Sequence, residues 1–448
     1  MILEIPEIAG LDSRKSILRI PPEVDVPLTP RVRRIIDTAE FRRLASVRQL
    51  GFVSLVYPGA MHSRFEHSLG VFRLAAILLK QMAHDADFVR IVPTEACELF
   101  LLTALLHDLG HYPYAHLIED LHLGIPSHEE EISRFLLDPD CEVSQIIRSD
   151  WRVFPEDVLY LLAGKKPAAP TLLSENFTLY KLLSSILSGP VDIDKMDYLQ
   201  RDSLHAGVPY GRNYDQERLL ASLCLNETRD GLAISSKGKT AAELLVFARY
   251  VMFSEVYWHH TVRSATAMFQ RLYFNLHQIE GMKLNEKIRN ASDSEAALLF
   301  REQNTPLAEA LFGPKRFLYK QIAEFNAYDF PEIYGQIARR PYTELKEIGE
   351  RLAASLPGVE ADEILIDAPS QTREIEFRVT IRTAPGIFRP LKEVSPVVRA
   401  LAVEQFDDQV KRVRIYVHPR LVVRKEEIVE RFVSSNYGDD AGNVVPVV

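Results

Sequence analysis

Cysteine is scarce: Cys97, Cys141 and Cys224 are the only three in 448 residues, and no two of them form a CxxC pair. A disulfide framework and a zinc ribbon are therefore excluded, and a reducing compartment fits best. The chain also lacks any run of about 18 apolar residues of the kind that crosses a bilayer. Its opening stretch, Met1-Ile2-Leu3-Glu4-Ile5-Pro6-Glu7, is acidic and carries a proline. A secretory signal needs a basic and then an apolar segment there, so a cytoplasmic protein with no membrane contact is expected. Positive charge is in short supply as well, with 53 Lys and Arg against 62 Asp and Glu and a formal net charge of −9. Without basic stretches interleaved with aromatics there is no track for a nucleic-acid strand. Any anionic ligand has to be met by a local cation cluster.

What is present is the composition of a folded globular protein, 47% hydrophobic and 26% charged. The length accommodates one large domain and a smaller one. The first 30 residues are Pro-rich and read as irregular. Beyond them helical period prevails. Residues 64–83 carry Phe65, Leu69, Phe72, Ala76 and Leu79 on one stripe, and residues 94–108 hold the apolar run Leu99–Leu106. A helix that is apolar all round is buried, which puts this one at the domain centre. Ser188-Gly189-Pro190 precedes a helix over about 191–202, residues 226–239 read as a small hairpin, and Thr240 to Gly281 reads as one uninterrupted helix. Arg373–Arg382 and Val410–Val417 alternate as strands do, and Lys425–Phe432 is a short amphipathic helix. The expected fold is mainly α: a helical domain over residues 1–340 and a smaller α+β domain over 341–448 that is available for an oligomer contact.

The chemistry concentrates where burial and charge meet. His107-Asp108 follows the buried run directly, and burying even one unpaired polar group costs about 2–7 kcal/mol. Either a hydrogen-bonded partner or a divalent cation accepting imidazole nitrogen and carboxylate oxygen compensates. Arg64 and His67, three apart, project from one helix face, and Asp194, Tyr198 and Asp202 form an i, i+4, i+8 stripe. Asp197 and Arg201 read as a solvated surface pair on another face.

His67, His107-Asp108 and Asp194, in that order, resemble the H…HD…D signature of the HD superfamily. The strings SRFEHSLGV (63–71), LLHDLGHYPYAH (105–116) and DIDKMDYLQRD (192–202) are similar to those of the deoxynucleoside triphosphate triphosphohydrolases, over about residues 31–280. The resemblance implies a helical HD-domain core. It implies one divalent metal ion on His67, His107, Asp108 and Asp194, with Mn²⁺, Mg²⁺, Fe²⁺, Ni²⁺ and Zn²⁺ left open. It assigns catalysis to His111, His116, His128 and Glu129, and we expect His116, supported by His128, to protonate the leaving 5′-oxygen. Ser127-x-x-Glu130 also reads as a capping box, which would make His128-Glu129 mere first-turn residues. Arg64, Lys195 and Arg249 correspond to a triphosphate clamp, and Gln49, Leu50, Tyr198, Asp202 and Tyr257 to the residues that read the deoxyribose. A deoxynucleotide substrate and a homo-oligomer, dimer or tetramer, are expected partners. The Asp37–Ala45 patch matches a guanine-nucleotide activator site but has Ala45 in place of an arginine, so activation through it is not expected. Two alternatives stand beside this reading: a phosphomonoesterase or phosphodiesterase acting on another nucleotide, and a nucleotide-binding regulator with little turnover.

Overall fold

The apolar run becomes the axis of the larger core. In the computed structural model, which describes residues 1–369, 379–403 and 410–437, every side chain from Leu99 to Leu106 is buried. Helix α1 (Arg64–Met82) lies against α2 (Thr94–Leu106), which contains that run. Ser63 starts α1 by accepting the Glu66 N–H, the reason a serine precedes the Arg64–Met82 stripe. Two short helices follow, α3 (Ala115–Glu119) and α4 (His128–Glu131). Helix α5 (Ile193–Ala206) packs on α1 and is capped at its start by Asp192, whose Oδ1 accepts the Lys195 N–H at 2.7 Å. Gly207, at φ 72°, ends α5 in the left-handed conformation that glycine adopts without a Cβ penalty.

The expected single helix from Thr240 to Gly281 is broken. Helix α6 (Lys239–Met252) runs into one widened turn, Phe253–Tyr257, before α7 (His260–Glu280) begins. The Trp258 N–H reaches back five residues to the Phe253 carbonyl at 2.9 Å. No glycine or proline marks the break, so periodicity alone misses it; such wide turns occur often at functional sites.

Nine strands complete the described residues. Residues 17–27, expected to be irregular, form an antiparallel hairpin of β1 (Ile17–Ile20) and β2 (Val24–Pro27). The expected hairpin near 226–239 is β3 (Leu223–Leu225) with β4 (Leu232–Ser235). A three-stranded antiparallel sheet joins β5 (Lys320–Phe325), β9 (Val413–Val417) and β6 (Ile364–Asp367) in the order β5-β9-β6. Helices α8 (Tyr342–Ala354) and α9 (Lys425–Tyr437) cover it. Ile322, Phe325, Ile348, Leu352, Ile415, Val417, Ile428 and Phe432 make a second hydrophobic core from chain on both sides of residue 340. The hairpin β7 (Thr380–Ala384) and β8 (Ile387–Pro390) returns to the larger domain, where Ile381 pairs in parallel with Ile234 of β4. Of the expected strand Arg373–Arg382, residues 373–378 lie outside the described residues. The architecture is thus a helical core with a smaller C-terminal α+β region. Among the described residues no helix is long and apolar enough to cross a membrane.

Candidate metal centre and active site

The end of α2, the first turn of α1 and the first turn of α5 meet at one point. His67 Nε2 lies 2.9 Å from Asp194 Oδ1 and 3.2 Å from His107 Nε2, and His107 Nε2 lies 3.8 Å from Asp194 Oδ1. The other nitrogen of each ring is already committed. His67 Nδ1 faces Asp197 Oδ2 at 2.8 Å, and His107 Nδ1 donates to the Ala104 carbonyl at 2.9 Å. With Nδ1 held as the donor on each ring, two Nε2 atoms and a carboxylate oxygen point into one space, where either a proton on His67 Nε2 or a divalent cation offsets the crowding of acceptors. The donor set therefore fits the metal that the motif implies. Asp108 adjoins it, with Oδ1 3.6 Å from His107 Nε2, while Oδ2 accepts from Arg64 Nη1 at 2.9 Å. Burial opposes charge throughout. Even so, the hydrogen bonds to Asp194 and Asp197 push His67 up to about 10, and His111 and Arg64 hold Asp108 well below the usual carboxylate range.

Asp197 and Arg201 are not a surface pair. Both are buried, and Arg201 forks onto Asp197 with Nε–Oδ2 and Nη2–Oδ1 distances of 2.8 Å each. The face of α5 that carries them packs on α1 at Gly70, where a Cβ would stand 2.0 Å from Asp197 Oδ1. Arg201 continues to Glu66 at 2.6 Å. Asp197 thus orients the His67 ring from behind, a function that an i, i+4 acid–base pair did not reveal in the sequence.

A second histidine group stands beside the first. His111 Nδ1 is 3.0 Å from Asp108 Oδ1, and its Nε2 is 3.2 Å from His116 Nε2. Burial, then the nearby Arg64 charge, holds His111 well below its ordinary value and hence neutral. Glu119 joins the other two: its Oε2 lies 3.2 Å from His116 Nδ1 and its Oε1 2.9 Å from His128 Nδ1. Burial works against the Glu119 charge, but the hydrogen bonds from His116 and His128 hold it below the usual carboxylate range. Glu129, expected beside His128 as part of a catalytic His-Glu unit, is exposed and lines the cavity, while the carboxylate that meets both His116 and His128 is Glu119. The available signal was the His116-x-x-Glu119 spacing on one short helix. The capping box at Ser127 and Glu130 is formed too, and leaves the His128 ring free for Glu119.

Both histidine groups open into a cavity of about 300 Å³. Of the site residues expected from the sequence, all but Lys195 and Arg249 line it. On the far wall Tyr257 donates its hydroxyl to Asp202 Oδ2 at 2.6 Å, and the buried His62 Nε2 lies 2.9 Å from Asp202 Oδ1. His62 carried no signal beyond its place in the loop before α1. Tyr198 sits between the metal triad and Asp202, its phenol pushed up by burial. The expected clamp is only partly assembled. Arg64 faces the cavity, bound to Asp108. Lys195 Nζ turns instead onto Asp192 Oδ2 at 2.6 Å and the Gly189 carbonyl at 3.2 Å, because the capping carboxylate is the nearer anion. Arg249 places its guanidinium 5.6 Å over the ring of the cavity-lining Phe253, with its charge bearing on Tyr198 and Tyr257.

Residues 64–202 match the HD domain family, and residues 214–434 match the HD associated region. An uncharacterized protein of Methanocaldococcus jannaschii is 32% identical over 387 residues, spanning 84% of this chain and 74% of that one. The deoxynucleoside triphosphate triphosphohydrolase SAMHD1 of Homo sapiens is 27% identical over 436 residues, 87% of this chain and 68% of that protein. The crystal structure of a hypothetical protein from Aquifex aeolicus superposes with a TM-score of 0.69 at 26% identity, covering 92% of this chain and 99% of that one.

Proposed function

Since the chain belongs to the HD-domain phosphohydrolase family, we propose that it hydrolyses deoxynucleoside triphosphates to deoxynucleoside and inorganic triphosphate. One observation carries this reading. A single cavity holds the His67–His107–Asp194 donors and the His111–His116–His128 group on one side and the Asp202–Tyr257 pair on the other. This shared cavity supports a reading in which the phosphate chain lies by the histidines and a sugar hydroxyl by Asp202.

His67, His107 and Asp194, with Asp108 beside them, would hold the metal, which when bound polarises a phosphoryl oxygen and acidifies water. Arg64, reaching the cavity from the first turn of α1, meets the negative charge of the phosphate chain. Neutral His111 accepts or donates a hydrogen bond without adding charge. His116 presents Nε2 to the leaving 5′-oxygen, which departs poorly as an alkoxide and needs a proton. Glu119 fixes the Nδ1 proton of His116 and so directs Nε2 at the substrate. Asp202 and Gln49 accept from a 3′-hydroxyl, while Leu50 and Tyr257 crowd the 2′ position, where an added hydroxyl would clash or stay unpaired.

Incubation of the protein with each dNTP and with ATP, in Mn²⁺ or Mg²⁺, tests the reading by ion-exchange resolution of products. Deoxynucleoside plus triphosphate from dNTPs but not ATP is expected. Release of monophosphate alone, or no product, would refute it. The orientation of Lys195 toward Asp192 favours a second reading, a phosphomonoesterase or phosphodiesterase that needs no full triphosphate clamp. Inorganic phosphate or a cleaved diester as the sole product would favour that one.

A further inference from the structure

Arg43 lies outside the lining of the catalytic cavity, yet the segment that carries it holds two of the elements that meet at the metal centre. Phe41 and Leu44 are fully buried and fix this segment in the larger core. The Arg64 N–H donates to the Val47 carbonyl at 3.0 Å and the Gln49 N–H to the His62 carbonyl at 3.1 Å, so the start of α1 is tied to it. Arg43 itself reaches the turn after α2. Its Nη1 donates to the His111 carbonyl at 2.6 Å and its Nη2 to the Leu109 carbonyl at 2.9 Å.

Two carbonyls that accept from one guanidinium point the same way, and their dipoles repel each other. A planar fork offsets that repulsion with two donors at a fixed spacing, which the point charge of a lysine does not reproduce. Gly110, between the two carbonyls, packs on the backbone of α4. A Cβ there would stand 2.0 Å from the His128 carbonyl oxygen and 2.8 Å from the Ile132 nitrogen. The turn is thus held by Arg43 and by α4 together. Asp108 precedes it and His111 ends it, with the His111 ring 3.8 Å from that of His128, centroid to centroid.

The charge of Arg43 is not explained by an ion pair. Burial, then the nearby Arg134 and Arg64 charges, pushes its guanidinium down to about 10, which still leaves it a cation at neutral pH. Glu131 favours that charge from a distance, but its Oε2 lies 3.4 Å from Arg134 Nε. Keeping a desolvated cation near two others disfavours the folded state. What the arrangement gains is a turn fixed at both carbonyls.

We infer that Arg43 is a positioning residue for the reaction: its fork sets the Leu109–His111 turn, and through that turn the places of Asp108 and His111, without touching substrate. The inference rests on the reading of the cavity as a hydrolytic site.

Arg43→Lys and Arg43→Ala test it, with melting temperatures verifying that each is folded; should the Ala variant not fold, the Lys variant decides. A displacement of about 1 Å costs about 100-fold in rate, so both variants are expected to lower kcat for dNTPs at least about 10-fold with KM little changed. Millimolar guanidinium should restore kcat in Arg43→Ala, and methylammonium, with the same charge but no fork, should not. Competition with a chelator should show Mn²⁺ held about 10-fold more weakly by both variants. Wild-type kcat and metal affinity in the folded Lys variant would overturn the inference. So would a rise in KM alone, or rescue by methylammonium as complete as by guanidinium, since either would assign to Arg43 a charge effect and no positioning. A wild-type protein that hydrolyses no dNTP would refute the functional reading by itself. The metal affinities then decide this inference, and equal values in wild type and variants would overturn it as well.

Discussion

Asp197 Oδ2 lies 2.8 Å from His67 Nδ1, on the opposite edge of the ring from the Nε2 that faces Asp194. The carboxylate is itself clamped by both arms of Arg201. His67 therefore has one orientation available before any ion arrives, with Nδ1 held as a donor and Nε2 turned toward Asp194. Asp197→Asn preserves the shape but removes the charge that stabilises the ring, and it is expected to weaken metal binding about 10–100-fold. Competition against a chelator of known affinity measures this, and wild-type affinity in a folded variant would show that Asp197 does not orient the ligand.

The same relationship depends on a missing side chain. A Cβ at Gly70 would stand 2.0 Å from Asp197 Oδ1 and 2.3 Å from Arg201 Nη2. Gly70→Ala is expected to cost about 1–3 kcal/mol through overpacking and to lower metal occupancy by moving the carboxylate. Gly335, also helical but with nothing within 4 Å of its would-be Cβ, provides the contrast. Gly335→Ala should stabilise by about 0.5–1 kcal/mol with metal content unchanged. Equal behaviour of the two in thermal unfolding would remove the case for close packing at α1 and α5.

Glu119 sets an acid-side dependence. Its ordinary value is 4.5, and although burial would raise it, the His116 and His128 hydrogen bonds depress it in the folded state. A depressed carboxylate contributes stability that is present above its unfolded value and is lost as pH falls toward its folded value. The wild-type melting temperature should therefore fall more steeply than that of Glu119→Gln between about pH 5 and 3. Parallel curves would mean that Glu119 carries no such coupling. The same variant should also depress kcat more than it changes KM, because Glu119 acts on the orientation of His116 and not on ground-state binding.

How much of this was visible in the sequence depends on how local each cause is. The buried helix α2 and the stripe Asp194–Tyr198–Asp202 follow from spacing within one element, and His67 and His107 stood out by their resemblance to the H…HD…D signature. Asp197 does not, because its burial is decided by a glycine on a helix more than a hundred residues upstream. Glu119 lay between two recognised histidines, but only the fold of the loop between α3 and α4 brings His128 back to it. The wide turn at Phe253–Tyr257 has ordinary helix-forming residues, and what it accomplishes is tertiary, the reach of Tyr257 to Asp202. The parallel pairing of β7 with β4 joins Ile381 to Ile234, a contact whose sequence separation leaves no periodic trace. Lys195 illustrates the converse: a residue matched by motif turns to the nearest carboxylate, Asp192, once the cap of α5 is built.

The reach of Tyr257 bears on sugar choice. Its hydroxyl holds Asp202 Oδ2 at 2.6 Å while His62 holds Oδ1 at 2.9 Å, so the carboxylate has a fixed plane and a remaining lone pair on each oxygen for a substrate hydroxyl. Burial and the adjacent Asp202 charge push the Tyr257 phenol well above its ordinary value, so it remains a donor across the working range of pH. Tyr257→Phe keeps the ring proposed to crowd the 2′ position but frees Asp202 Oδ2; Tyr257→Ala removes both. If the ring excludes ribonucleotides, the dNTP-to-NTP ratio of kcat/KM should survive in the Phe variant and fall at least about 10-fold in the Ala variant. If the hydroxyl matters through Asp202, both variants should lower kcat/KM for dNTPs to a similar degree. A ratio unchanged in both variants would place the sugar discrimination elsewhere on the cavity wall, with Leu50 the next residue to replace.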